Sequence, residues 1–499
     1  MITYYISPLG NDASKGTTLD QPFATLNGAK QAVRQHAGKA PITVCLREGL
    51  YAQSQPFTLI EQDSGSASAS IIYRPYEMET ARITGGKTLK SRADFPAEKA
   101  DQNLSLCQDH TSAASENAEA TADSSLFSLS GVHHVSFHNL TVEDTDGNGI
   151  LLTGGSDIEF AGCVIRNIGK TGIAVEGGDH HCLQSCTITH TGEAGIRIQG
   201  GDRKSLTRSD HLVDNCHIHH ISRGPGALEP GIAVSGVGIR ISHNHVHDCP
   251  ATAILLSGNE HLIEYNNIHH IGLKTDEGGA IYMGRDWTER GIQIQYNYFH
   301  DIDAYPEGGG AICMDDCASG STILGNLFVR CNRAVFIGGG RNHRIDNNIF
   351  VQCEPAVEID GRGLEKSPRW HSMVYSTMKP VFEALNPLEP PYKFHYPELR
   401  EVAMYYQAED GIPPEGNLVL RNVSYQSTWV HIHWHATAKI VALQNNLVDE
   451  NPLFINQIRD NYQLRETSPA YEIGIKPIPS DRMGLYEDPF RKATNLRTD

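Results

Sequence analysis

The sequence has few aromatic side chains and few basic ones. Phe, Trp and Tyr make up 7% of the 499 residues, and 41 Lys and Arg stand against 59 Asp and Glu, which gives a formal net charge of −18. Nucleic acids and anionic membrane surfaces select for clustered basic residues, so this balance argues against both as partners. It also disfavours a polyanionic glycan such as pectate or alginate as a ligand.

The sequence also lacks a long hydrophobic run. No stretch of 18 consecutive apolar residues occurs, and the N-terminus MITYYISPLG enters a strand pattern without a basic region or a cleavage site. From these absences we expect neither a membrane span nor a secretory leader in the sequence as it stands. We therefore expect a soluble protein, cytoplasmic as the sequence stands and periplasmic if a leader has been removed. The sequence leaves its oligomeric state open.

The eleven cysteines do not resemble a disulfide framework, because their number is odd and their spacing irregular. Cys163, Cys186 and Cys216 each stand two residues before a strand-closing apolar residue, which predicts buried thiols. Cys182 and Cys186 could be read as a metal pair, but no matching Cys/His set accompanies them. We predict neither a metal nor a cofactor.

A short repeat begins near residue 130. Segments Gly149-Ile-Leu-Leu, Gly172-Ile-Ala-Val and Gly195-Ile-Arg-Ile start 23 residues apart, and the pattern returns as far as Ala356-Val-Glu-Ile. A second apolar strand lies between successive copies. Alternation of period two indicates strands, and a unit of about 22 residues is too short for two helices with their loops. The sequence therefore predicts an all-β fold, a right-handed parallel β-helix (solenoid) with long loops on one face.

One position of the repeat forms a column of cysteines and asparagines. Its members all stand two residues before the closing apolar side chain: Cys163, Cys186, Cys216, Asn244, Asn266, Asn297, Asn326 and Asn348. If rungs stack at about 4.8 Å, amide side chains at one register form an internal hydrogen-bond ladder.

The ends of the chain and its interruptions divide it into five parts. Thr25 is predicted to N-cap a short helix that covers the open end of the core with Leu26, Ala29 and Val33. The predicted parts are an N-terminal cap with the first rungs (1–91), a polar loop or insertion (92–125), the β-helix core with the active-site face (126–363), a Pro- and aromatic-rich excursion (364–416), and C-terminal rungs with a tail (417–499).

Candidate chemistry concentrates in the rungs from about 274 to 362. The outward positions there hold acids, aromatics and arginines, and the rung spacing grows from 22–23 to 27 and 31 residues. Long loops over one strand face form the walls of a cleft. Segments 274–287, 314–320 and 336–343 stand out, the last with three consecutive glycines that predict a floor without side chains.

Asp315 and Asp316 end one strand as adjacent carboxylates. Adjacent carboxylates repel each other, which raises the pKa of one of them. The pair is therefore better explained by a functional role than by the ordinary role of a turn residue. Glycosidic cleavage needs a pair of carboxyl groups, one to protonate the leaving oxygen and one to act as base or nucleophile. Calcium binding is an alternative for these acids. Asp286 and Asp360 also fit the ordinary role of a turn residue that bonds its own backbone.

Several segments resemble bacterial β-helix glycoside hydrolases: YYISPLGND, DEGGAIYMGRD, MDDCASG, AVFIGGGRNHRIDNNIF and the closing IGIKPIP and MGLY. The sequence is most similar to glycoside hydrolase family 141 and more distantly to the xylosidases of family 120. The resemblance implies cleavage of α-L-fucosyl or xylosyl units from plant or algal glycans by aspartates. The acid in MDD matches the family pattern, and Asp276 is the second match. Gly338 stands where family 120 has a Glu, so the acid/base has to come from elsewhere.

These observations predict a metal-independent glycoside hydrolase. Asp315 or Asp316 is the essential carboxylate and Asp276 its partner, with the sugar, the linkage and the stereochemistry left open. Trp287 is expected to stack on the sugar and the arginines to form charge-assisted bonds with it. The predicted substrate-binding residues are Glu277, Arg285, Asp286, Trp287, Arg341, His343 and Asp360.

Two other functions remain open at the level of sequence. A lyase or epimerase acting on uronates would use a basic side chain, for which Lys274, Arg285 and Arg341 are candidates. A non-catalytic carbohydrate-binding β-helix is the other possibility, which the localised acids disfavour.

Overall fold

The computed structural model describes residues 1–86, 125–224, 227–275, 278–302, 309–437 and 440–492. Most of the predicted polar loop, 92–124, therefore lies outside the described residues. The chain forms two compact units: the first comprises Met1–Gly200, Ser209–Ala233 and Tyr486–Asp499, and the second comprises Gly201–Arg208 and Val234–Leu485. In each unit successive strands join three parallel sheets in turn, one strand per sheet per coil. The predicted parallel β-helix is confirmed.

The first unit contains the early coils. Its first sheet has the strands Ile2–Ile6, Ile42–Leu46, Ile71–Pro75, His133–His138, Ser156–Ala161, Cys182–Gln184 and Leu212–Asp214. Its second sheet has Gly49–Ala52, Ala81–Thr84, Thr141–Thr145, Val164–Ile168, Thr187–Thr191 and His217–His219. Its third sheet has Phe57–Ile60, Phe127–Ser130, Ile150–Thr153, Ile173–Glu176 and Ile196–Gly200. The register places Ile150 beside Ile173 and Ile173 beside Ile196, so like apolar side chains stack inside the coil.

The predicted capping helix is present at Leu26–Arg34. The Thr25 hydroxyl accepts a hydrogen bond from the Gly28 N–H at 2.9 Å, which satisfies one of the free donors of the first turn. Leu26, Ala29 and Val33 are buried, as predicted.

The second unit continues the same order of sheets. Its first sheet has Arg240–Ser242, Leu262–Glu264, Gln293–Gln295, Thr322–Leu324, Arg344–Asp346, Asn417–Leu420 and Val441–Gln444. Its second sheet has His245–Cys249, Asn267–Ile271, Tyr298–Ile302, Leu327–Cys331, Ile349–Val351, Val423–Tyr425 and Leu447–Val448. Its third sheet has Ile254–Asn259, Gly279–Met283, Gly310–Met314, Val335–Gly338, Val357–Asp360 and Val430–Ile432. The strand Ile232–Val237 contains the boundary between the units, and Phe454–Asn456 pairs antiparallel with Asn461–Leu464.

The Pro- and aromatic-rich excursion of the second unit is largely helical. Its helices are Pro368–Ser372, the π-helix Met373–Met378, Lys379–Leu385, Tyr392–His395 and Leu399–Ala408. Short 3-10 turns occur at Glu61–Asp63, Arg362–Leu364, Gln457–Arg459, Pro469–Tyr471 and Ser480–Arg482. The excursion packs its apolar side chains, Leu399 and Tyr406 among them, around Trp287. Among the described residues, no helix has the length and hydrophobicity needed to cross a membrane.

The internal ladder is confirmed in the second unit. The Asn244 side-chain amide donates to the Asn266 Oδ1 at 2.9 Å, and Asn266 donates in turn to Asn297 at 2.8 Å. The chain of amides continues through Asn326, Asn348, Asn422 and Asn446. An amide can extend such a chain because it both donates and accepts.

The corresponding position of the first unit holds buried thiols, as predicted. Cys163 and Cys186 donate to the backbone carbonyls of Phe137 and Phe160, at 3.4 and 3.3 Å. Cys216 does the same to Leu183 at 3.5 Å. Burial raises the pKa of the Cys186 and Cys216 thiols well above the ordinary value, so both stay protonated at neutral pH.

Candidate active site

The acid cluster lies at the ends of three neighbouring strands in the third sheet of the second unit. Met314 is in register with Ile337, and Gly338 with Asp360. Asp315, which follows the strand Gly310–Met314, therefore lies two rungs from Asp360, about 9.6 Å by strand spacing. The side chains at these positions point away from the coil interior, because successive residues of a strand alternate between its faces.

Arg362 connects three carboxylates. Its Nη1 contacts Asp315 Oδ1 and donates to Asp316 Oδ1 at 2.8 Å. Its Nε and Nη2 donate to Asp360 Oδ2 at 3.0 and 2.7 Å. The 3-10 turn Arg362–Leu364 directs the side chain back over the strands, and Asp360 Oδ1 accepts the Arg362 N–H at 3.0 Å. One guanidinium therefore compensates much of the repulsion expected between these acids.

The three carboxylates differ in their exposure to solvent. The Asp315 side chain is 22% exposed, against 4% for Asp316 and 1% for Asp360. Burial among protein atoms and the neighbouring Asp316 charge raise the pKa of Asp315 to about 6, although Arg362 opposes the shift. The Tyr282 hydroxyl donates to Asp315 Oδ2 at 3.1 Å. Asp315 is thus the accessible member of the cluster. Its pKa lies near neutral pH, and a catalytic acid or base works best when its pKa is close to the working pH.

Gly338 leaves the space through which Arg362 reaches Asp315. A Cβ atom at this position would lie 2.7 Å from Asp315 Oδ1 and 2.8 Å from Arg362 Cζ. Any side chain would displace either the guanidinium or the carboxylate. The glycine that departs from the family 120 pattern therefore has a structural reason here.

Arg285 and Asp286 follow the neighbouring strand Gly279–Met283 and have different surroundings. Arg285 Nε donates to Asp316 Oδ2 at 2.8 Å, and the arginine side chain is 27% exposed, so it borders the cluster. Asp286 is buried and accepts from Arg203 Nη2 at 3.0 Å and from the Thr288 N–H at 2.8 Å. The prediction that Asp286 contacts the sugar is corrected, because its carboxylate is occupied by protein donors.

Two further residues that were predicted to contact the sugar, Trp287 and Arg341, are buried. Trp287 is 0% exposed and donates its Nε1–H to the Tyr406 hydroxyl at 2.8 Å, so no ring face is open for stacking. Arg341 is also fully buried, contacts Glu401 and donates to the Pro413 carbonyl at 3.2 Å.

His343 is enclosed as well. Its Nε2–H donates to the Ala318 carbonyl at 2.7 Å and its Nδ1 accepts the Ser321 N–H at 3.2 Å. Burial lowers the pKa of His343 to about 4, so the ring is neutral. The helical excursion covers this side of the unit, which sequence spacing could not reveal, and the sugar-binding roles of Trp287, Arg341 and His343 are corrected.

Three predicted site residues remain: Asp276, Glu277 and Asp360. Asp276 and Glu277 lie outside the described residues, so their roles stay predictions. Asp360 is buried and bound on both oxygens by Arg362, so direct contact with a sugar is corrected to a role in holding that arginine.

A second buried acid cluster was not anticipated. The Glu289 side chain is 6% exposed, accepts from the Ser257 hydroxyl at 2.6 Å and pairs with Arg203 at 3.6 Å. Burial raises the pKa of Glu289 to about 7, against the opposing charge of Arg203. Because Arg203 also binds Asp286, this network fixes the segment Gly201–Arg208 within the second unit.

Sequence reasoning missed Arg362, the centre of the site. The available signal was an arginine two residues after a strand that ends in an outward aspartate. Tyr282, whose hydroxyl donates to Asp315, was also missed, because its role depends on a contact with the next rung. Tryptophans at 370 and 434, which lie near Arg362, were also missed because neither belongs to the regular repeat.

Comparisons with known proteins agree with this architecture. A family model described as "Right handed beta helix region" matches residues 148–229 and 230–367. The comparison with curated proteins found no match. The chain is similar to the structure described as "The complex structure of XylC with xylose", at 12% identity over 91% of this chain and 87% of that chain, with a TM-score of 0.50.

Two further solved structures extend the comparison. One is described as "Glycoside hydrolase" (12% identity, 97% of this chain, 99% of that chain, TM-score 0.49). The other is described as "Crystal structure of pectate lyase Pel9A" (14% identity, 70% and 79%, TM-score 0.45). At 12% identity the likeness to the XylC structure shows the fold alone. The chain has the fold of a right-handed parallel β-helix.

Proposed function

We propose that the protein is a glycoside hydrolase in which Asp315 is the essential carboxylate. The observation that carries this proposal is that Asp315 is the partly exposed acid of the Arg362 cluster, with its pKa raised to about 6. The substrate class rests on the resemblance of segments 314–320 and 336–343 to family 141. It comprises fucosyl- or xylosyl-containing oligosaccharides and polysaccharides of plants or algae.

Asp315 is assigned the role of base or nucleophile. Arg362 and Tyr282 both donate hydrogen bonds to its carboxylate, and donors of this kind stabilise the ionised form. At neutral pH an acid with a pKa near 6 is mostly ionised, so it can take a proton from water or attack the anomeric carbon. The leaving oxygen needs a proton from a second carboxyl group, and we assign this role to Asp276, the partner carboxylate that the sequence predicts.

The pH profile tests the assignment of Asp315. We expect kcat/KM to rise with pH through a midpoint near 6, because the ionised form is the reactive one. Tyr282→Phe removes a donor to that form, so the pKa of Asp315 rises and the midpoint moves to higher pH. Tyr405→Phe, which removes a hydroxyl that donates to Glu415, is the control. A Tyr282→Phe midpoint equal to that of the wild type would contradict the assignment.

A glycan digest tests the reaction class. Incubation with fucosylated and xylosylated oligosaccharides is expected to release reducing ends without the absorbance of an unsaturated product. EDTA should leave the rate unchanged, because the positive charge beside Asp315, Asp316 and Asp360 is supplied by Arg362. Loss of activity that calcium restores would refute the metal-independent proposal.

A lyase or epimerase acting on uronates is the alternative enzyme. It requires a basic side chain that is free to take a proton. Arg285 and Arg362 are paired with carboxylates, and Arg341 is buried against Glu401, which leaves exposed Lys274 as its best candidate. Appearance of the unsaturated chromophore on uronate polymers would favour this reaction. Glycan binding without any product would favour a carbohydrate-binding protein.

A further inference from the structure

Two tryptophans lie beside the Arg362 cluster in the second unit. Trp370 belongs to the helix Pro368–Ser372, and Trp434 follows the strand Val430–Ile432. Their ring centroids are 6.3 Å apart, with the planes inclined by 49°. The Arg362 Cζ lies 4.6 Å from the Trp370 ring and 6.0 Å from the Trp434 ring. The same guanidinium contacts Asp315, so one arginine side chain links both indoles to the accessible carboxylate.

The two rings differ in what covers them. Trp370 has two guanidinium groups against it, from Arg362 at 4.6 Å and Arg369 at 4.7 Å. Trp434 is 49% exposed, whereas Trp287 of the same unit is completely buried. A half-exposed indole at the edge of a polar cluster is typical of a binding surface. Exposing its apolar area to water is unfavourable, and a bound ligand would cover that area.

The turn that presents Trp434 is held in place by specific contacts. Trp434 and His435 have φ of 48° and 64°, left-handed values that cost energy for residues other than glycine. The Trp434 carbonyl packs so closely on Gly361 that a Cβ atom there would overlap it. The His435 ring lies 3.1 Å from Glu365 Oε2. These contacts attach the turn to the segment that also carries Arg362.

We infer that Trp434, supported by Trp370, forms a sugar-stacking subsite next to Asp315. A pyranose ring has an apolar face of C–H groups and a rim of hydroxyls. Trp434 offers an apolar ring face of matching size. Polar side chains lie beside it: the Arg362 Cζ is 6.0 Å and the His433 ring centroid 5.3 Å from the centroid of the Trp434 ring. The subsite holds a sugar of the same oligosaccharide whose cleaved bond lies over Asp315, and in this respect it rests on the proposed hydrolase function. It takes the stacking role that Trp287 cannot perform.

Substitutions in the full chain test the subsite. Trp434→Ala is expected to raise KM for a fucosyl- or xylosyl-oligosaccharide by about 5- to 10-fold, the value of one aromatic contact. Trp434→Phe should recover most of this loss, because a ring face remains. The control is Phe394→Ala, which removes another exposed aromatic ring of the same unit, 73% exposed. Calorimetric titration of the Asp315→Asn protein with the same oligosaccharide should show the same fold loss when Trp434→Ala is added.

The outcomes separate this inference from the proposed function. If the wild type hydrolyses the oligosaccharide and Trp434→Ala matches Phe394→Ala in both KM and affinity, the subsite is wrong and the hydrolase stands. If the wild type binds without hydrolysis and Trp434→Ala weakens binding, the subsite stands and the hydrolase fails. Absence of oligosaccharide binding to the wild type overturns the subsite.

Discussion

Asp315→Asn is expected to reduce turnover of a fucosyl- or xylosyl-oligosaccharide by a factor of about 10²–10⁴, the contribution of a single general base. The amide keeps the shape of the carboxylate but neither takes a proton nor attacks. Stability at pH 7 should hold or rise, because a carboxyl whose folded pKa is raised destabilises the fold once ionised. This destabilisation of the fold by ionised Asp315 is absent below pH 4 and complete above pH 6. Turnover and the thermal unfolding midpoint are measured on the same preparations.

Two further substitutions serve as comparisons for Asp315→Asn. Asp316→Asn should preserve much of the turnover, because the Asp316 side chain is 4% exposed, and should shift the pH midpoint downward by removing a charge beside Asp315. Asp410→Asn changes a side chain that is 82% exposed and should alter nothing. Near wild-type turnover in both Asp315→Asn and Asp316→Asn would refute the assignment of this segment as catalytic. Misfolding of both would make the pair structural.

Arg362→Met is expected to lower the free energy of unfolding by about 3–5 kcal/mol at pH 7.5, the cost of leaving buried charges without their partner. Asp316 and Asp360 would lose the guanidinium that binds them, and Asp315 would lose its strongest donor. Arg362 opposes the rise in the pKa of Asp315, so that pKa would rise further without it and the deficit should shrink as the pH falls from 7.5 to 5. Thermal midpoints at the two pH values measure this difference.

Arg240→Met is the matched control for that experiment. Arg240 pairs with the buried Glu264 at 2.6 Å, but its own side chain is 49% exposed and Gln295 also donates to Glu264, so a loss of about 1 kcal/mol is expected. Equal midpoint losses in Arg362→Met and Arg240→Met would show that the carboxylate cluster does not depend on Arg362. Turnover on the oligosaccharide should be lost only in Arg362→Met.

Much of the fold could be predicted from local patterns. The 23-residue repeat, the Asn244-to-Asn348 column and the cap of Thr25 all follow from side-chain alternation or from a hydrogen bond within a few residues. In a parallel coil each rung lies on the next, so a fixed position in the repeat becomes a contact between rungs. For the same reason Asp315 could be placed on an outward face beside the glycine run.

Contacts between distant segments could not be predicted in this way. Trp287, Arg341 and His343 had the residue types of a sugar site, yet the helices of the 364–416 excursion bury Trp287 and Arg341, and His343 is enclosed between neighbouring rungs. Whether an outward side chain is covered depends on where an irregular segment folds back, and the repeat carries no information about that. Trp434 became a candidate only because its turn rests against Gly361.

The sequence by itself determined the coil, its internal ladder and the face on which acids gather, because these depend on periodicity and strand spacing. Only the tertiary structure decided which acid is accessible. The sequence does not distinguish Asp315, Asp316 and Asp360, because all three are aspartates at the ends of strands. In the structure, Arg362 and the packing around it bury Asp316 and Asp360 and leave Asp315 partly exposed to solvent, with a raised pKa. Exposure and pKa arise from every group that surrounds a carboxyl, and those groups come together only when the chain has folded.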